Sequence, residues 1–215
     1  MTTKIVCLAN SLKEGGRCLA GIELVANNNP KIENGLLKWI RPICNTPHGE
    51  VPNELVSHLD LLDIIEIELI GNPLSGNYQS ENIDFKEDSI KIIGKYDKNL
   101  LNLLCDNRRL IFSNRGKAVA KDAIDNLNFS LMFLCTSQFE VIKKVYEDSP
   151  GKLKIRLVFS YNEIQYDLPI TDPVFLYNYK NNPRLLDGHK ELFISLSLGT
   201  NWNDWYYKLV TGIIL

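Results

Sequence analysis

The stretch LLDIIEIELIG, residues 61–71, sets Ile65, Ile67 and Leu69 on one side and Glu66 and Glu68 on the other. Successive side chains of an extended chain point to opposite faces, so this alternation fits a half-buried strand and no helix. The same period returns far downstream in KLKIRLVFSY. There Leu153, Ile155, Leu157 and Phe159 alternate with Lys154, Arg156 and Val158. NEIQYDLPI follows after a short turn at Asn162, which makes the pair a hairpin. A chain that repeats this period in both of its halves must build sheets.

Weaker strand runs fill the rest of the two ends. They are residues 4–9, RCLAGIELV, LLKWIRPI, SLMFLCT, FEVIKKVYE and the C-terminal LFISLSLG and YYKLVTGIIL, with the polar turns NNNPKIENG, NTPHGEVPNE and DSPGK between some of them. NPLSGNYQSENIDF reads as irregular, and TDP as a turn in which Asp172 bonds its own backbone. The middle differs. DKNLLNLLCD clusters leucines at helical spacing, and RGKAVAKDAIDNL places Val119, Ala123 and Ile124 on one helical face. The expected fold is mostly β with a helical middle segment. Each end holds about five strands in roughly 85 residues, which suits two tandem OB-like β-barrels. The expected boundaries are 1–85 for the first barrel, 86–127 for a helical connector and 128–215 for the second barrel. A single larger β-sandwich is the alternative.

Several classes are excluded or disfavoured. No apolar run approaches the roughly 20 residues a membrane helix needs, and the N-terminus lacks a signal peptide's apolar core. A cytoplasmic protein with no membrane partner is expected. The five cysteines form no CxxC pair, and His48, His58 and His189 lack ligand spacing, so no metal site is expected. There is no Walker pattern, no dinucleotide fingerprint and no G-x-S-x-G. No catalytic residue and no cofactor are assigned. The net charge is −2, unevenly spread. Residues 50–88 carry ten acids against Lys86 alone, whereas residues 91–121 carry eight lysines and arginines against Asp97 and Asp106. Such a basic segment suits either a phosphate-binding face or a solvated surface.

The ordered stretches KIVCLANSLKEGGRCLAG, WIRP, LLDIIEIEL, YQSENI, ITDP and ISLSLG…YYKLVTGII resemble the dual OB-fold domain family of bacteria and archaea, over nearly the whole chain. The resemblance implies two OB-like barrels in tandem. It also implies a nucleic-acid- or nucleotide-sensing role in prokaryotic conflict and antiphage systems.

The candidate ligand-binding residues follow from residue chemistry. In the opening loop Asn10, Ser11, Lys13 and Arg17 supply donors for a phosphate; a plain hairpin with Gly15 and Gly16 at positive φ is the other reading. In KWIRP, Trp39 and Arg41 share a strand face, either as a stacking and phosphate-contacting pair or as core. In DWYYKLV, Lys208 is interleaved with aromatics. Arg108, Arg109, Arg115 and Lys117 form a secondary basic face. The expected function is a non-enzymatic module that binds nucleic acid or a nucleotide, as a sensor or accessory component of a defence system. A protein–protein interaction subunit of such a system is the first alternative. The second is a nucleotide-acting enzyme using Cys18 or Asp172.

Overall fold

The computed structural model describes residues 1–72, 78–146 and 149–215. The first half is built on β1 (Thr2–Lys13), β2 (Gly16–Leu24), β3 (Ile32–Glu33), β4 (Leu36–Leu37), β5 (Trp39–Ile43), the short helix α1 (Asn53–Val56), β6 (Asp63–Ile70), β7 (Asn82–Phe85) and β8 (Lys91–Lys95). Hydrogen bonding runs β1-β2-β5-β7-β6 and returns from β6 to β1, which closes a five-stranded ring; β8 adds to the outside of β6. All ring contacts are antiparallel except β5 with β7. Closure removes sheet edges that would otherwise pair with another chain. The alternation in LLDIIEIELIG is realised in β6, where Ile65 and Ile67 are fully buried and Glu68 is exposed. YQSENIDF departs from the irregular reading: Asn82–Phe85 is the strand that closes the ring. Residues 73–77 of that stretch lie outside the described residues.

The second half comprises β9 (Ala118–Ala120), helix α2 (Lys121–Ile124), β10 (Leu131–Thr136), β11 (Phe139–Tyr146), β12 (Ser149–Tyr161), β13 (Ile164–Pro169), helix α3 (Pro173–Asn181), β14 (Leu192–Trp202) and β15 (Trp205–Ile214). These strands form two antiparallel sheets, β10-β14-β15-β9 and β11-β12-β13, joined by a parallel bridge between Ile170 and Val210. This is a half-barrel. The hairpin expected around Asn162 is present, with Asn162 and Glu163 both at positive φ as a tight primed turn requires. Of the expected DSPGK turn, Asp148 lies outside the described residues, and Ser149–Lys152 belong to β12. Asp172 caps α3 by accepting from the amides of Val174 and Phe175.

The middle carries its helical turns interleaved with strand. Lys98–Leu104 is a 3-10 helix that buries Leu101 and Leu104, and α2 is one turn. The alanines at 118–120 pair instead with Tyr207, Tyr206 and Trp205 of β15. A sheet partner outweighs the roughly 0.5 kcal/mol per residue that alanine's helix propensity offers.

The two halves share a core. Val6, Leu8, Ala20, Ile22 and Trp39 pack in one cluster with Leu131, Phe133, Phe193 and Ile214. Strand β1 lies at the junction. The Ser195 hydroxyl donates to the Leu8 carbonyl, and the Leu12 amide donates to Thr171 O at 3.0 Å. Gly212 of β15 makes this approach possible: a Cβ there would stand 2.3 Å from Leu8 O. Among the described residues no helix is long and apolar enough to cross a membrane.

Candidate functional site

Strand β5 delivers Arg41 into the junction. Its backbone amide is held by Glu81 O at 2.8 Å, and its side chain is 1% exposed. Nη1 donates to Asn82 Oδ1 and Nη2 to Ser197 Oγ, both at 3.1 Å, while Nε has no hydrogen-bond partner. Among the described residues Arg41 has no ion pair. The nearby Glu81 carboxylate is committed elsewhere, accepting from the amides of Ser130 and Leu131 and from the Ser130 hydroxyl. A buried guanidinium without a counterion costs several kcal/mol, so an anion that reaches it gains a strong partner.

Arg41 lines a cavity of about 170 Å³ together with Ser11, Lys13, Cys18, Gln79, Ser197, Thr200 and Thr211. Leu12, Glu14 and Thr200 are exposed at its mouth. Burial pushes the Lys13 ammonium down, Cys18 opposes this, and the Arg41 charge adds to it. Two cations therefore face one small space, and among the described residues Glu14 on the rim is its only carboxylate.

Leu209 of β15 lines this cavity and two larger ones. A recess of about 470 Å³ is lined by Lys117, Lys154, Arg156, Pro169, Trp202, Tyr207 and Leu209. A groove of about 680 Å³ adds Lys143, Ile155, Thr171, Tyr179 and Lys180, and shares Lys154, Pro169 and Leu209 with the recess. The three spaces thus adjoin at Leu209. Among the described residues seven lysines and arginines line them (Lys13, Arg41, Lys117, Lys143, Lys154, Arg156 and Lys180), against Glu14 alone. Arg156 is partly neutralised by Asp167. Trp202 stands 68% exposed on the wall, and the Lys143 ammonium lies 5.9 Å above the Tyr179 ring. In a chain of net charge −2 this is a marked local concentration of positive potential.

Of the residues singled out in the sequence, Ser11, Lys13 and Arg41 meet in the small cavity. Asn10 is buried beside them and ties β1 to the α1 region, donating to Val56 O at 2.7 Å and Leu59 O at 3.0 Å. Arg17 braces the hairpin through Asn53 Oδ1 and Asn10 O. Gly15 does take positive φ, whereas Gly16 is fixed by close approach to Val51 O instead. Trp39 is core between the halves. Lys208 is fully buried and lines none of the three spaces: its Nζ donates to Ile111 O, Asn114 O and Asn114 Oδ1. Burial pushes its ammonium down to about 7. The secondary basic face is divided. Lys117 reaches the recess, but Arg108 is paired with Asp106 and stacked 4.0 Å over Phe129, beside a separate cavity at Trp39. Arg109 and Arg115 are exposed and line none of the three spaces. Lys143, Lys154, Arg156, Lys180 and Trp202 were not singled out. The available signal was Lys154 and Arg156 two apart in a strand, which puts two cations on one face.

Among the described residues no cluster of His, Cys, Asp and Glu is placed to hold a metal ion. Cys18 and Asp172, named for the enzymatic alternative, lie apart. Cys18 lines the small cavity; the Asp172 carboxylate is spent on Val174, Phe175 and Ile213 amides beside a different one.

A five-stranded ring ordered β1-β2-β5-β7-β6, closed back to β1, with a half-barrel packed against it, defines an OB-type barrel protein. The profile of the dual OB-containing domain matches residues 3–213, and the chain belongs to that family. No curated protein matches the sequence. Two solved structures are loosely similar. One is a chain of a replication protein A heterotrimer bound to single-stranded DNA (TM-score 0.37, 11% identity, covering 98% of this chain and 48% of that one). The other is a murine DNA-binding protein bound to double-stranded DNA (TM-score 0.32, 7% identity, covering 99% and 98%). At these scores the likeness carries no argument about this chain.

Proposed function

We propose that the protein is a non-enzymatic module that binds single-stranded nucleic acid along a face of the second half that reaches the junction with the first at Arg41. The observation that carries this reading is that three spaces adjoin at Leu209 and are lined, among the described residues, by seven cations against one carboxylate. A polyanionic backbone tracks such a groove, and exposed Trp202 offers a ring on which a base stacks whatever its identity. A duplex presents its bases inside and gains nothing from that ring. The role of sensor or accessory component in a prokaryotic defence system is part of the proposal and is supported by the family resemblance.

A polarisation titration at low salt tests it, with single-stranded DNA, single-stranded RNA and duplex DNA of equal length. Single strands should bind more tightly than duplex. Failure of every oligonucleotide at 50 mM salt would refute the reading.

One observation favours docking of a protein partner as a second role. All five residues of β8 are exposed, including Ile92 and Ile93, and β8 pairs only with β6 among the described residues. An open, apolar strand edge accepts another strand. Co-purification of a partner lost in Ile92→Lys would support it.

A further inference from the structure

We propose that the small cavity at Arg41 holds a terminal phosphate, so that the groove receives a strand by its phosphorylated end. This rests on the groove reading above. Three features of the cavity select a phosphomonoester over an internal phosphodiester.

The first is charge. A phosphomonoester carries about −1.5 to −2 near neutral pH, a diester only about −1. Arg41 and Lys13 together match the former. The second is shape. Away from its mouth the cavity is walled by Ser11, Arg41, Ser197 and Thr211, all nearly or fully buried. An internal phosphate has a nucleoside on both sides, and both would have to leave through one opening. At about 170 Å³ the space lies below the roughly 300 Å³ at which sites for drug-sized ligands begin. It takes a phosphate and leaves its sugar and base outside, toward Leu209 and the aromatic recess. The third is unused donor capacity. Arg41 Nε is buried and has no hydrogen-bond partner. Lys13 adds a second charged donor to the lining. The guanidinium is held from two sides, by Asn82 of the first half and Ser197 of the second. The pocket therefore exists only when the halves are packed together, and an anion on Arg41 joins them.

The test compares 12-nucleotide single strands bearing a 5′-phosphate, a 3′-phosphate or hydroxyls at both ends, alongside a nucleoside monophosphate and inorganic phosphate. One phosphorylated strand should bind at least tenfold more tightly than the hydroxyl strand. Lys13→Ala, on a partly exposed side chain that leaves the core intact, should weaken the phosphorylated strand much more than the hydroxyl strand, which loses one backbone contact, and so remove most of that preference. Arg41→Lys, which keeps a cation but loses the planar fork, should also weaken it. Equal binding of all three strands would overturn the inference and leave the groove standing. So would inorganic phosphate binding as tightly as the phosphorylated strand, because the pocket would then serve the free ion. If no strand binds but the nucleoside monophosphate does, in a Lys13-dependent way, the groove reading falls and the phosphate pocket survives. If neither binds, both fall.

Discussion

Five lysines, Lys13, Lys117, Lys143, Lys154 and Lys180, line the groove and are partly or fully exposed, within reach of a backbone phosphate lying in it. Arg156 is committed to Asp167 and Arg41 sits at the closed end. Each single-strand phosphate neutralised contributes about 0.7 to the slope of log affinity against log salt, so five contacts give a slope of about −3.5. Affinity should then fall about 100-fold between 50 and 200 mM salt. Replacing Lys117, Lys143 and Lys180 together by Gln should bring the slope to about −1.4. The control replaces Lys4, Lys86 and Lys91, which are exposed elsewhere, and should leave it unchanged. All six positions lie on the surface, where substitutions usually change stability by less than about 0.5 kcal/mol. The assay is polarisation of a labelled 12-mer at four or more salt concentrations. A wild-type slope shallower than about −1, or equal effects of the two triple variants, would refute the assignment of the groove.

Further outcomes follow from single positions. Trp202→Ala removes an exposed ring and should cost about 1–3 kcal/mol of single-strand affinity at little cost in stability, read by titration and thermal melting. Gly212→Ala would place a Cβ 2.3 Å from Leu8 O at the junction, so it should destabilise the whole chain by at least about 1–3 kcal/mol. An unchanged melting temperature would show that the halves do not pack as described. Lys208 titrates near 7 when folded and at its ordinary value of 10.5 when unfolded. The unfolded chain then holds more protons above pH 7, and stability should rise with pH there by up to about 1.4 kcal/mol per unit. The comparison belongs between pH 7 and 8.5. Above that, the thiols of Cys7, Cys44 and Cys105, pushed up to about 12 by desolvation, pull the other way as their unfolded counterparts ionise. The wild-type slope in denaturant titrations should exceed that of Lys208→Met, and equal slopes would count against it.

What could be read in the sequence was local. Alternation in β6 and β12 announced strands because each buries one face, and Asn162 announced a turn because its backbone must take positive φ. Asp172 announced a turn, and the structure makes it the cap of α3, its carboxylate being short enough to reach amides two and three residues on. The strand β7 gave no such signal: it is four residues long and earns its conformation from β5 and β6 on either side. Ala118–Ala120 looked helical and became strand for the same cause, a partner 87 positions away in Trp205–Tyr207. The site was legible in part. Arg41 and Lys13 were visible as cations near a strand and a loop, but nothing local says that Ser197 and Thr211 complete their cavity. Lys208 shows the reverse case. An exposed lysine and a buried one are spelled alike, and only the carbonyls of Ile111 and Asn114 reveal which this is.

The groove itself can be mapped directly by lysine acylation read by mass spectrometry, on the full chain with and without a saturating 12-mer single strand. Lys13, Lys117, Lys143, Lys154 and Lys180 should lose reactivity severalfold on binding, while Lys4, Lys86 and Lys91 keep theirs. Protection that falls on the second set, or spreads evenly over both, would contradict a single continuous interface running from Arg41 past Leu209 to Lys180.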